Sequence, residues 1–140
     1  MSGANGKTGT RAFMAIGALL GEQHSFMHDL ESFFWVLFWI CIHYDGPDDK
    51  ARVIPRFEKW NYVELAGIKL GTVSDEDIFR KTITEFFTGY YKPLIPWVNR
   101  LRRIVFPNGE RWKKPEPELY ALMKGILRNA QEDPKVLAKS

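Results

Sequence analysis

Three small groups of residues have types and spacings that could do chemistry. Gly6-Lys7-Thr8 ends like a phosphate-binding loop, in which backbone N–H groups and a lysine cradle phosphates. That loop needs a glycine five positions before Gly6 and a strand ahead of it. Met1 occupies the position and no strand precedes it, so Met1 to Ala12, with Gly3, Gly6 and Gly9, reads as a polar loop. His24 and His28 stand at i, i+4, which puts two imidazoles on one helical face and can hold zinc. No glutamate follows His24 and no third ligand motif exists; both read as polar residues at a helix start, and no metal is expected. Cys41 is the single cysteine and lies inside an apolar run, where it can form no internal disulfide. No Gly-x-Ser-x-Gly turn is present, so the chain shows no nucleophile–base set and no catalytic residue.

The element that must position anything else is the stretch His28-Asp29-Leu30-Glu31-Ser32 running into the ten apolar residues Phe33 to Ile42. A surface helix keeps one polar face, whereas this run is apolar all round and must be buried on every side. A membrane span needs roughly 20 apolar residues, so this length predicts a core helix instead. Ser25 is placed to cap it, and Asp29 and Glu31 suit the positive end of its dipole. Ahead of it, Phe13 to Leu20 predicts one or two helical turns closed by Gly21.

Behind it, Asp45-Gly46-Pro47-Asp48-Asp49-Lys50 is loop by turn chemistry, and Val53 to Thr72 reads as irregular to weakly helical. Ser74 followed by Asp75-Glu76-Asp77 predicts a helix start, with Ile78, Phe79, Ile83, Phe86 and Phe87 at helical spacing. Trp97 to Phe106 predicts one more helix, and a last one runs from about Pro117 through Leu119, Leu122, Met123, Ile126 and Leu127 and stops before Pro134; a Pro107-Asn108-Gly109 turn follows the first. The expectation is one all-α unit over 1–134, divided into 1–24, a central helix within 25–44 and peripheral helices over 45–134. A frayed tail is expected over 135–140.

With 140 residues, 45% hydrophobic and 14% aromatic, the chain can bury a substantial core. The net charge of +3 is too small to imply nucleic acid. Lys92, Arg100, Arg102, Arg103, Arg111, Lys113 and Lys114, interleaved with Trp97 and Trp112, are locally basic and read as a solvated helix face with its adjoining loop. Neither nucleic-acid nor membrane partners are expected. One cysteine and no leader or long apolar span point to a reduced intracellular setting, cytoplasmic or nuclear.

The order Gly9-Thr10-Arg11-Ala12-Phe13-Met14-Ala15-Ile16, Leu19-Leu20-Gly21, Asp29-Leu30-Glu31-Ser32 resembles the end of a protein-kinase activation segment followed by the central helix of the C-terminal lobe. It is most similar to the fungal-type protein kinase family, closely over 8–46. To about 130 the similarity is looser, resting on helix order and a Trp60…Lys69 pattern. Asp-Leu-Glu-Ser also resembles the casein-kinase-one branch, which replaces the usual Ala-Pro-Glu triplet. Here Ala15-Ile16-Gly17 stands in that place, and Gly17 has no carboxylate to tie the segment to a C-lobe arginine.

The resemblance implies that Gly9 and Thr10 form the substrate-docking loop, with Thr10 hydrogen-bonding the catalytic loop. It implies that Asp29 accepts catalytic-loop N–H groups, with Ser32 beside it as part of the same anchor. It also implies a protein substrate or partner, and ATP with magnesium as cofactors of the intact family. The parts that handle the nucleotide are missing from this chain: glycine-rich cover, strand lysine with its helix glutamate, catalytic-loop Asp and metal-binding Asn and Asp. His28-Asp29-Leu30 is not that catalytic loop, since its arginine is absent and Phe34 stands where the Asn should fall. Met1 would lie inside the activation segment. The expectation is therefore the helical lower half of a kinase C-lobe, with no cofactor of its own and inactive alone. The alternatives are a helical interaction module, able to self-associate through exposed apolar surface, or a gene fragment with no separate function.

Overall fold

The computed structural model describes residues 11–61 and 64–139, and all regular structure among them is helical. The elements are α1 (Ile16–Leu19), α2 (Phe26–His43), α3 (Pro55–Glu58), α4 (Leu65–Val73), α5 (Glu76–Phe86), α6 (Ile95–Val105), α7 (Leu119–Glu132) and α8 (Pro134–Leu137). Short 3-10 segments at Lys59–Asn61, Gly89–Leu94 and Pro107–Gly109 join some of them.

Helix α2 starts where its sequence says it should. The Ser25 hydroxyl accepts the Met27 N–H at 2.9 Å, and the His28 ring accepts the Ser25 N–H at 3.3 Å, closing a capping box with histidine in the usual glutamate place. Its buried residues are Glu31, Phe34, Trp35, Phe38, Cys41, Ile42 and His43, a stripe at i, i+3 and i+4 spacing. The helix is thus not sealed on every side. Phe26 is 44% exposed, and Phe33 is 45% exposed on the flank that faces an open groove toward α7.

The core is an aromatic stack on that stripe. Phe34 meets Phe79 of α5 at 6.0 Å and Phe106 at 5.5 Å, and Phe38 lies on Trp60 at 5.8 Å and meets Phe57 at 5.9 Å. Helix α6 packs along α2 and against both α5 and α7, while α1 packs on α4. No helix among the described residues is long and apolar enough to cross a membrane.

Four local expectations are corrected. Residues 65–73 form a regular helix, its first turn closed by the Glu64 carboxylate accepting the Gly67 N–H. Asp75, not Ser74, caps α5 by accepting the Ile78 N–H, because Ser74 already ends α4. Helix α6 begins at Ile95, with Pro96 in a first turn that tolerates its missing N–H. The segment after Pro134 makes a turn of helix capped by Asp133, whose other carboxylate oxygen accepts from Trp97 Nε1 at 2.7 Å.

Candidate functional site

The candidate site is the segment leading into α2, and its geometry follows from what ties it down. Arg11 to Met14 forms a turn in which the Met14 N–H reaches the Arg11 carbonyl at 3.1 Å. Lys69 of α4 lies beneath it with no exposed surface. Its ammonium donates to the Met14 carbonyl at 2.6 Å and to the Arg11 carbonyl at 3.2 Å. The same nitrogen sits 4.8 Å from the ring centre of Trp35 and 5.7 Å from that of Trp60. Desolvation pushes the Lys69 ammonium down to about 7, with the Glu31 charge opposing that shift. Glu31 accepts the Ile16 N–H at 2.7 Å and the Trp35 indole N–H at 2.9 Å through one oxygen.

A second tie crosses the chain. Arg111 donates to both oxygens of Glu22 at 2.7 Å, and the His28 Nε2 meets Glu22 Oε1 at 3.1 Å. Because the other nitrogen of His28 accepts the Ser25 N–H, Nε2 carries the proton and donates to Glu22. The Arg111 guanidinium, then His28, hold the Glu22 carboxyl below its usual range. This explains the residue that breaks the Ala-Pro-Glu pattern. A Cβ at Gly17 would overlap Glu22 Oε1 and lie 2.5 Å from Arg111 Nη2 and 2.6 Å from His28 Nε2. Gly17 supplies no carboxylate, but it leaves the space in which Glu22 and Arg111 pair.

Gly17→Ala should therefore displace three side-chain ends. The gain of about 1 kcal/mol in helix propensity is offset by losing a half-exposed ion pair worth about 1 kcal/mol. Net stability is expected to change by less than about 1 kcal/mol, but its salt dependence should fall. Urea unfolding at low salt and at roughly 1 M, where screening acts within about 3 Å, reads this out; an unchanged salt dependence would remove Glu22–Arg111 as a tie.

The structure redistributes the residues singled out from the sequence. Gly9, Thr10 and the Gly6-Lys7-Thr8 loop lie outside the described residues. Asp29 is not a buried carboxylate: its side chain is 68% exposed and meets His24 Nε2 at 2.9 Å. Ser32 is half-buried on the same helix. His24 and His28 face different carboxylates, Asp29 and Glu22. Most of the basic run is exposed, as expected of a solvated face; the exception is Arg102, which is buried with its Nε on the Val73 carbonyl. Arg102 and Arg103 share Glu76, which Arg103 holds down to about 2. Lys69, Glu31, Glu22 and Arg111, which carry the geometry, were not singled out as site residues.

On the other side of α2, a groove of about 500 Å³ runs to α7, lined by Leu30, Phe33, Tyr120 and Met123. Asp29 stands on its α2 wall and Lys124 and Arg128 on its α7 wall.

A model of the family described as fungal protein kinase matches residues 1–41. The match covers the tied segment and all of α2 except Ile42 and His43, less than a third of the chain. No curated protein and no solved structure is significantly similar. The chain is thus linked to the fungal protein kinases through the segment and helix described above, on a helical base that the match does not reach.

Proposed function

We propose that the chain is the helical base of a fungal-type serine/threonine protein kinase C-lobe, presenting Gly9 and Thr10 as a docking loop for a protein substrate. In this reading phosphoryl transfer belongs to the intact kinase, and the chain alone is inactive. The observation that carries the reading is the tethering of Arg11–Ile16 to α2 and α4 by buried Lys69 and Glu31, within the span that matches the kinase family. A loop that must hold a protein substrate in register needs such a rigid seat. Asp29 keeps an accessible carboxylate in the first turn of α2, where it can accept N–H groups from a catalytic loop.

In the same reading the chain holds no magnesium nucleotide of its own, because the residues that handle one in the intact family are missing from its sequence. Among the described residues no three metal-ligating side chains converge. Calorimetric titration with Mg-ATP tests this: no heat of binding is expected, and a Kd below about 1 mM would overturn the claim that the chain lacks a nucleotide site.

The groove between α2 and α7 favours a second reading, a helical interaction module that pairs with another copy of itself. A two-fold contact would set Asp29 of one copy against Lys124 and Arg128 of the other, and would cover Phe33. Sedimentation should then show a concentration-dependent dimer that Phe33→Asp dissociates. A wild-type chain that stays monomeric at high concentration rules this reading out.

A further inference from the structure

The groove between α2 and α7 carries a charge pattern that its own chain leaves unmet. Its α7 wall follows the helical repeat. Tyr120, Met123 and Leu127 fall at i, i+3 and i+7, and Lys124 and Arg128 run beside them at i+4 and i+8. Leu30 and Phe33 of α2 line the opposite wall of a space of about 500 Å³. Met123 is buried, whereas Phe33 and Tyr120 are exposed, so an apolar floor is open to solvent.

Other arginines in this half of the chain are engaged: Arg100 lies over the Trp97 ring, Arg102 and Arg103 pair with Glu76, and Arg111 pairs with Glu22. Lys124 and Arg128 are exposed and pair with no carboxylate among the described residues. Two cations one turn apart, about 6 Å between Cβ atoms, match two carboxylates at the same i, i+4 spacing on a second helix. An amphiphile with a single anionic head would meet only one of them. A second copy of this chain is no better matched. Its Asp29 is already held by His24, and no described helix carries two acidic residues four positions apart.

We propose that this groove docks an acidic amphipathic helix of another protein. Its apolar residues seat on Leu30, Phe33, Met123 and Leu127, and its carboxylates, one turn apart, meet Lys124 and Arg128. The α7 wall from Tyr120 to Gln131 is about 17 Å long, so three turns of the partner cover it.

The test uses the full chain and two labelled peptides of about 15 residues, each with leucines at i, i+3, i+4 and i+7. One carries glutamates at i, i+4 beside that stripe, and the other carries lysines in the same places. Fluorescence anisotropy should show micromolar binding of the glutamate peptide, with the lysine peptide on the order of tenfold weaker. Lys124→Glu combined with Arg128→Glu should reverse that preference, and Phe33→Asp should abolish binding of both. No binding of the glutamate peptide at about 1 mM, equal binding of the two peptides, or a preference unmoved by the charge reversal would overturn the proposal.

Should the variants fail to fold, wild-type amide shifts decide. Shifts confined to α7 and the first half of α2 support the site, and shifts centred elsewhere refute it. Sedimentation deals with the competing occupant. A wild-type dimer that the glutamate peptide dissociates supports docking of an acidic helix, whereas a dimer that persists with the peptide unbound gives the groove to a second copy and refutes it. Each outcome stands whether or not Gly9 and Thr10 dock a substrate.

Discussion

Trp35→Ala is expected to destabilise the chain by about 4 kcal/mol, a large part of the roughly 5–15 kcal/mol that holds a domain of this size. Trp35 has no exposed surface and its ring meets those of Phe34, Phe38, Trp60 and Phe106 at 5.1 to 5.9 Å. Phe34 and Phe38, on the same buried stripe of α2, are themselves packed against Phe79 of α5, so the helix has little room to move inward and close the hole. The substitution also removes the indole N–H from Glu31 and one aromatic face from Lys69.

Trp35→Phe separates packing from polarity. It keeps most of the ring contacts and leaves the buried Glu31 with only the Ile16 N–H, and should cost roughly 1–3 kcal/mol. Urea unfolding followed by circular dichroism measures both. A loss below about 1 kcal/mol for Trp35→Ala would mean that α2 is not the centre of the fold.

The start and end of α2 were legible because Ser25 and the Asp45-Gly46-Pro47 turn bracket an apolar run of helical length. The inward carboxylate was harder to place. Asp29 and Glu31 differ by two positions, about 200° around a helix of 3.6 residues per turn, so only one can face the core. The family resemblance directs attention to Asp29, whereas the spacing favours Glu31, which falls in series with Phe34, Trp35, Phe38, Cys41 and Ile42. Helix α4 was hidden by its own composition. Leu65–Val73 contains Gly67 and Gly71, both weak helix formers, and carries a lysine where the inward stripe would show an apolar residue. That lysine is the centre of the candidate site. The Glu22–Arg111 pair had no local signal at all, since nothing in either sequence neighbourhood points to a partner 89 residues away.

The stability of the chain should rise with pH between about 7 and 9, and Lys69 should be the cause. Its ammonium falls from an ordinary 10.5 to about 7 in the folded chain through desolvation. Below pH 7 both states hold the proton and the folded state carries the burial penalty. Above it the unfolded chain binds the proton and the folded chain does not, so each pH unit adds up to about 1.4 kcal/mol of stability. Two carbonyls and two indole faces favour the charged form and temper this, leaving a gain of about 2 kcal/mol over that interval.

Cys41 then opposes the trend. Burial raises its thiol from 9.0 to about 12, so above pH 9 the unfolded chain gives up a proton that the folded chain keeps. The two slopes cancel between about pH 9 and 10.5, giving a plateau, and the raised Tyr91 adds to the fall beyond it. His43, lowered by burial, contributes its own rise below about pH 6.5, outside this window. Lys69→Met should flatten the profile between pH 7 and 9, and Cys41→Ala should turn the plateau into a continued climb. A wild-type urea midpoint that does not move between pH 7 and 9, or moves equally in Lys69→Met, would show that Lys69 keeps its proton in the folded chain throughout that range.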